Sequence, residues 1–286
     1  MSSKRILACI DGSELSNSVV DYAIWLAKNS QSSIKFLHTI EHSYQSESVH
    51  REGNLTPNMK EHLLDELSDE ERLESKQLIA EGKALLDSAK KKAEQAGLAD
   101  ITAKQRHSSL AEALVDLELE FSLVVLGKKG RTHLGDKQGL GSQIEQSIRS
   151  IHSPVFIVKG NFSEPKKVMF AYNGSPTSKK ALNVLATGQF CNQAVDLHLV
   201  SVKTNLDDAQ ALIDEAMTTF SKTKFNITSS ALVGEAVDEL RNYQQQHDID
   251  VLAMGAFSHG KLHGFFFGSF TTRMLLETQA NFLLIR

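Results

Sequence analysis

Residues 254–269 read MGAFSHGKLHGFFFGS, so that a glycine ends an apolar run and a Gly-Ser pair follows thirteen residues later. The first half of the chain has a similar stretch, from VLGKKG at 125–130 to GLGS at 139–142. Glycine lets main-chain N–H groups approach an anion, and unpaired N–H groups at a helix N-terminus point at it. A strand, a glycine-rich loop and a helix start that occur twice in this order predict a duplicated nucleotide-binding unit.

Apolar runs and helical periodicity predict the element order β-α-β-α-β-α-β-α-β in each half. The first half has predicted strands at 5–10, 34–40, 101–103, 123–126 and 155–158 and predicted helices at 19–27, 63–96, 110–121 and 141–151. The second half has predicted strands at 167–172, 195–202, 227–232, 249–254 and 282–285 and predicted helices at 181–186, 209–220, 234–247 and 269–278. Strands that alternate with helices form parallel sheets with helices on both faces. We therefore predict an α/β protein of two domains, residues 1–160 and 166–286, with an insertion at about 42–59 in the first.

The composition is that of a globular protein, with 41% hydrophobic and 23% charged residues among 286. The net charge of −4 argues against a basic surface for nucleic acid. No apolar run approaches the roughly 18 residues that cross a bilayer, and no apolar segment of the signal-peptide type is present. Cys9 and Cys191 lie in different halves, so a disulfide framework is not expected. We expect a cytoplasmic protein with neither a nucleic-acid nor a membrane partner.

At these residues the chain resembles a tandem universal stress protein, in which two universal stress protein domains lie in one chain. That family's domain has this order of strands and helices and often binds ATP through a Gly-x2-Gly-x9-Gly-Ser/Thr loop. Its other mark is a first-strand aspartate followed by Gly-Ser. Asp11-Gly12-Ser13 matches this mark, and Asn173-Gly174-Ser175 matches it with the acid replaced. The resemblance covers nearly the whole chain except the insertion.

Both loops depart from the family pattern. In the second half Gly255 and Gly268-Ser269 have the family spacing, but Ser258 stands where the second glycine belongs. In the first half the first two glycines match, whereas Gly141-Ser142 arrives one residue late. Loop length decides whether donors on the fourth-strand turn and on the helix start converge on one anion. We therefore hypothesise that the second half is the better ATP site.

The resemblance implies two five-stranded, doubly wound sheets of parallel type with strand order 3-2-1-4-5, arranged as an intrachain pseudo-dimer. We predict that the halves pair through their last strands, 155–158 and 282–285, because short apolar edge strands need covering. The resemblance also allows a homodimer of the whole chain. Ligands of such sheets bind at the carboxyl ends of the strands where the order reverses, here between the first and fourth strands.

The resemblance implies a site for ATP, with or without Mg²⁺, in one or both halves. Asp11 or Asn173 would accept hydrogen bonds from ribose or adenine, and the loop with the following helix start would hold the phosphates. Thr39 and Val202 align with a position that packs on adenine. The candidate residues are Asp11, Thr39, Gly127, Gly130, Gly141 and Ser142 in the first half and Asn173, Val202, Met254, Gly255, Ser258, His259, Gly268, Ser269, Phe270 and Thr271 in the second.

Simpler interpretations stay open for several of these residues. The strand-ending glycines of both halves could be turn glycines, and Asp11 and Asn173 could only cap the helices that follow them. His259 and His263 have the spacing of metal ligands on a helix. The glycines beside these histidines indicate a loop instead, and we expect no metal site.

The favoured function is a stress-response sensor or regulatory module that binds ATP. One alternative is a structural or interaction protein whose degenerate sites bind no nucleotide, and another is an enzyme that uses ATP for nucleotidyl transfer. The sequence has no nucleophile elbow, no Walker A lysine-serine pair and no identifiable general base. We therefore expect at most weak ATPase activity.

Replacing Gly268 with a bulky residue such as leucine should lower the affinity for ATP more than the same change at Gly141. The reason is that the second-half loop has the family spacing. Titration calorimetry of both variants with ATP measures the difference. A larger loss at Gly141 would reverse the order of the two sites, and no loss at either would contradict the assignment of ATP.

Overall fold

The computed structural model describes residues 5–41, 57–130, 142–188, 190, 195–221, 223–256 and 269–286, with the backbone alone for 57–72, 74, 142 and 269. Within these residues each half has the predicted alternation of strands and helices. The first half consists of β1 (Arg5–Cys9), α1 (Ser16–Ser30), β2 (Ile34–Ile40), α2 (Pro57–Gln95), β3 (Ile101–His107), α3 (Leu110–Leu117), a 3-10 turn (Glu118–Glu120), β4 (Phe121–Gly127), α4 (Ser142–Ser150) and β5 (Val155–Val158). The second half consists of β6 (Lys167–Ala171), α5 (Pro176–Ala186), β7 (Asp196–Lys203), α6 (Leu206–Phe220), β8 (Asn226–Val233), α7 (Ala236–Gln246), β9 (Val251–Gly255), α8 (Ser269–Glu277) and β10 (Asn281–Ile285).

These strands form one sheet in the order β3-β2-β1-β4-β5-β10-β9-β6-β7-β8. Each half therefore has the predicted 3-2-1-4-5 order, and its own strands pair in parallel. The halves join through β5 and β10, which pair antiparallel with Leu283 opposite Phe156. The predicted contact between the last strands is confirmed, and the two five-stranded sheets continue into a single ten-stranded sheet.

Helices cover both faces of the sheet, as an α/β fold requires. The helices α1, α2, α5 and α6 pack on one face, and α3, α4, α7 and α8 pack on the other. Strands between two helical layers must be apolar on both sides. Val124 and Val125 of β4 point to opposite faces, and both are fully buried.

The antiparallel junction turns the second half around relative to the first. The strands of the two halves run in opposite directions. The carboxyl ends of β1 and β4 therefore lie along one rim of the ten-stranded sheet, where strands end, and those of β6 and β9 lie along the opposite rim. A ligand site at the carboxyl ends of the strands is therefore a separate site in each half.

Some element limits differ from the predicted ones. The helix predicted at 110–121 ends at Leu117, and after the 3-10 turn the buried Phe121 begins β4. The strand predicted at 101–103 continues to His107, because an edge strand tolerates exposed polar side chains. The helix α2 begins at Pro57 within the predicted insertion, whose residues 42–56 lie outside the described residues. The domain limits stay a prediction.

A cation from each half caps a helix of the other half. Lys159, directly after β5, donates from Nζ to the backbone oxygens of Leu275 (2.8 Å) and Thr278 at the end of α8. Arg286, directly after β10, donates from Nη1 to the backbone oxygen of Ile151 beyond α4. Cations stabilise the partial negative charge at a helix C-terminus. The two caps therefore reinforce the β5–β10 junction from both sides.

The cap at Lys159 predicts a pH dependence of stability. Burial, with a smaller contribution from Lys128, lowers the pKa of Lys159 to about 8. The pKa of a lysine in an unfolded chain is about 10.4. Between these values the unfolded chain binds a proton that the folded chain does not, so stability rises with pH. From about pH 7.5 to about pH 10, the free energy of unfolding of the wild type should rise relative to Lys159→Met by on the order of 1–2 kcal/mol.

Urea unfolding at both pH values measures this difference. Lys180→Met removes an exposed lysine from α5 and serves as the control, for which the difference from the wild type should stay constant. A constant difference for Lys159→Met as well would contradict the buried position of its ammonium group.

Candidate functional site

The first candidate site lies at the carboxyl ends of β1 and β4, where the strand order reverses. The chain turns at Gly12, whose φ of 77° glycine adopts without strain. The Asp11 carboxylate accepts hydrogen bonds from the Ser13 N–H (3.0 Å) and the Ser16 hydroxyl (2.9 Å). Leu15, the N-cap residue of α1, provides no side-chain cap. Asp11 therefore stabilises the turn that leads into the helix.

The cavity beside this turn is small. Its volume is about 40 Å³, which is room for a few water molecules. The predicted site residues that line it are Asp11, Thr39 and Gly127. Gly130 lies against the same turn, since a Cβ added there would come within 3.1 Å of Asp11 Oδ2. Leu110 of α3 and Ile144 of α4 form the wall under the second helical layer.

The second candidate site repeats this construction at the carboxyl ends of β6 and β9. Gly174 has a φ of 78°, and the Ser175 N–H donates to Asn173 Oδ1 (3.0 Å). Ser175 is the N-cap residue of α5 and accepts the N–H of Ser178 (3.2 Å). Asn173 therefore organises the turn, and the cap function expected from the simpler interpretation belongs to Ser175.

The second cavity is the larger of the two, with a volume of about 150 Å³. The predicted site residues that line it are Asn173, Val202, Met254, Gly255 and Phe270. Leu240 and Ala236 of α7 extend this apolar lining. A cavity with apolar walls and a polar turn at one end is typical of sites for small organic ligands.

The two cavities differ in size because equivalent positions have side chains of different size. Cys9 pairs with Leu37 and Ala171 pairs with Val200, which makes Thr39 and Val202 equivalent. The first helical residue after the third strand is Leu110 in the first half and Ala236 in the second. Both residues line their cavities, and the larger side chain of leucine fills space that alanine leaves open. Sequence patterns did not identify this pair, because the crossover from the third strand brings it to the site.

The two strand-ending glycines have different structural roles. A Cβ added at Gly255 would lie 2.6 Å from the backbone nitrogen of Ser178 and 2.7 Å from the carbonyl carbon of Thr177. Glycine is therefore required for β9 to pack against the first turn of α5. A Cβ added at Gly127 would lie 3.4 Å from Leu15 Cβ, which is an ordinary contact. The close approach of α5 therefore accounts for Gly255 without any ligand.

The charges at the two cavity mouths also differ. Lys203 Nζ lies 3.5 Å from the backbone oxygen of Asn173, which places a cation beside the neutral amide of the second turn. In the first cavity Lys129 is present together with the carboxylate of Asp11. Burial, and to a smaller extent Lys129, lowers the pKa of Lys128 in the same loop. Both mouths therefore have a lysine nearby, and the second one lacks the carboxylate that lines the first.

Tyr172 fixes the end of β6 beside the second turn. Its hydroxyl donates to Glu215 Oε1 of α6 at 2.9 Å. Burial and this carboxylate raise the pKa of Tyr172 to about 12. The hydroxyl therefore stays protonated at neutral pH and holds the strand end against α6.

Ion pairs join α7 to α8 beside the second cavity. Arg241 contacts Glu277 at 2.9 Å, and Arg273 contacts Glu235 at 3.3 Å. Phe270 in the first turn of α8 lines the cavity, whereas the neighbouring Thr271 is buried and does not line it.

The remaining predicted residues cannot be placed in either cavity. Gly141, Ser258, His259 and Gly268 lie outside the described residues. Ser142 and Ser269 are described by their backbone alone and begin α4 and α8; the start of α8 is as predicted, and that of α4 was predicted one residue earlier, at Gly141.

Metal sites and membrane spans are both absent from the described part of the chain. No group of three or more His, Cys, Asp and Glu side chains there could hold a metal ion. No helix there combines the length and the apolar character that a membrane span needs.

Comparison with known proteins agrees with this architecture. Residues 2–159 match the model of the Universal stress protein family. The chain is 34% identical to Universal stress protein Slr1230 from Synechocystis sp., over 99% of this chain and 100% of that protein. The chain belongs to the universal stress protein family. Its role is therefore in the stress response, and the resemblance noted from the sequence is confirmed.

Other members of the family match one half or the whole fold. Universal stress protein YxiE from Bacillus subtilis is 30% identical over 158 residues, which are 54% of this chain and 98% of that protein. The crystal structure of a universal stress protein from Archaeoglobus fulgidus has a TM-score of 0.72 at 17% identity, over 100% of this chain and 99% of that one. This likeness supports the fold of both halves together.

Replacing the two strand-ending glycines with alanine should affect stability unequally. Gly255→Ala should lower the free energy of unfolding by about 1–3 kcal/mol, because the new methyl group meets the backbone of α5. The matched variant Gly127→Ala should change it by no more than about 0.5 kcal/mol, because its methyl group makes only ordinary contacts. Urea unfolding of both variants measures the difference, and equal losses would contradict the close approach of β9 to α5.

Proposed function

We propose that the chain is a stress-response module that binds an adenine nucleotide, ATP, in its second half and acts as a sensor or regulator. The observation that carries this proposal is the larger cavity at the strand-order reversal between β6 and β9. Open α/β sheets bind ligands at this place. The proposal requires no chemical step.

The cavity fits the base of a nucleotide better than the whole molecule. Its volume of about 150 Å³ is small beside typical ligand pockets of roughly 300–1,000 Å³. The apolar side chains of Val202, Leu240 and Met254 offer a surface on which adenine can pack. Asn173, with an acceptor and two donors, offers hydrogen bonds to the base or the ribose.

The phosphates would then lie at the mouth of the cavity, near the start of α8. A helix N-terminus attracts negative charge, and Lys203 adds a cation beside the second turn. Ser269, which belongs to the predicted loop motif and begins α8, would contribute a backbone N–H donor there. Mg²⁺ would accompany the nucleotide through its phosphate oxygens, which are the kind of ligand that this ion prefers.

The first half supports a second candidate function. Its cavity has room for only a few water molecules, and Leu110 fills part of the space. This observation favours a structural or interaction role for residues 1–160. It corresponds to the alternative in which a degenerate site binds no nucleotide. The two candidates are compatible, since the two sites lie at opposite rims of the sheet.

Val202→Phe should lower the affinity for ATP at least about tenfold, because a larger side chain fills the cavity where adenine would pack. The matched variant Thr39→Phe makes the equivalent change in the first half and should leave the affinity within about twofold. Titration calorimetry with ATP and Mg²⁺ measures both, and circular dichroism melting shows that each variant is folded. Absence of ATP binding by the folded wild type would contradict the proposal, and loss of binding in Thr39→Phe alone would move the site to the first half.

A further inference from the structure

One carboxylate bridges two helices at the mouth of the first cavity. Glu41 directly follows β2. Its Oε1 accepts a hydrogen bond from the backbone N–H of Leu110, the first residue of α3, at 3.1 Å. Its Oε2 accepts a hydrogen bond from Nε2 of Gln143, the second residue of α4, at 2.6 Å. A single side chain thus connects the end of a strand to the starts of two helices.

This bridge lies beside the first cavity. Leu110 and Ile144, the neighbour of Gln143, both line the first cavity, and so does Thr39, two residues before Glu41. The bridge therefore links the starts of α3 and α4 next to residues that line the cavity. It also engages the Leu110 N–H, a donor at a helix start that could otherwise face an anion.

The second half has different residues at the same three positions. From the equivalence of Thr39 and Val202, the counterpart of Glu41 is Thr204, an uncharged and exposed residue. The counterpart of Leu110 is Ala236, the first residue of α7, and that of Gln143 is Phe270, the second residue of α8. Ala236 and Phe270 line the larger cavity. The bridge is thus associated with the smaller of the two cavities.

We propose that Glu41, an exposed carboxylate beside the first cavity, excludes nucleotide from that cavity. The carboxylate repels the phosphates of an approaching nucleotide, and its two hydrogen bonds hold α3 and α4 together beside the cavity. This inference rests on the proposed function, since it explains why the second half would be the binding half. Glu41 acts as a specificity-determining residue that distinguishes two sites of one topology.

The test is the number of ATP molecules bound per full-length chain, measured by titration calorimetry. The wild type should bind one, and Glu41→Ala should bind two. The additional site should disappear when Thr39→Phe is combined with Glu41→Ala, because that change fills the first cavity. Glu41→Gln keeps an oxygen acceptor for Leu110 while removing the charge, and it should also gain the second site, which keeps the test valid if the alanine variant does not fold.

Glu145→Ala is the matched control, because it removes an equal charge from α4 that pairs with Arg149 and takes no part in the bridge. It should bind one ATP, as the wild type does. Two ATP molecules on the wild type, or one on both the wild type and the folded Glu41 variants, would overturn the role of Glu41. Binding by the Glu41 variants but not by the wild type would overturn the proposed function alone, and binding by none of them would overturn both.

Discussion

The antiparallel pairing of β5 with β10 is the constraint on which the rest of the structure depends. It converts two edge strands into the centre of a ten-stranded sheet and removes two apolar edges that would otherwise attract other chains. The caps from Lys159 and Arg286 reinforce it, because each half supplies the cation for a helix of the other. It also places the two candidate sites at opposite rims, so that each can change without disturbing the other.

Independence of this kind explains how two copies of one topology can come to differ. Both copies keep the turn with glycine in the left-handed conformation, since that turn feeds the first helix whether or not a ligand binds. The residues around the turn have diverged. The second half combines the neutral Asn173 with a small Ala236, whereas the first half combines the acidic Asp11 with Leu110 and the Glu41 bridge. Two of these differences remove a negative charge from the second site, and the third leaves more space in its cavity.

The sequence was sufficient to predict the topology, because local periodicity and the resemblance agree for every strand. It also predicted the turns and the strand-end residues of both sites. It gave a phosphate-binding reason for Gly255, whereas the structure adds a packing reason in the approach of α5. The role of Glu41 could not be predicted, because its partners Leu110 and Gln143 lie 69 and 102 residues further along the chain. Only the folded crossovers bring these three residues together.

The most direct measurement is a crystal structure of the full chain with a non-hydrolysable ATP analogue and Mg²⁺. We expect one nucleotide per chain, with its adenine between Val202 and Met254 and its phosphates near the start of α8. The first cavity should hold no nucleotide, because of the bridge from Glu41. A nucleotide in the first cavity, or full occupancy of both, would contradict the assignment of binding to the second half.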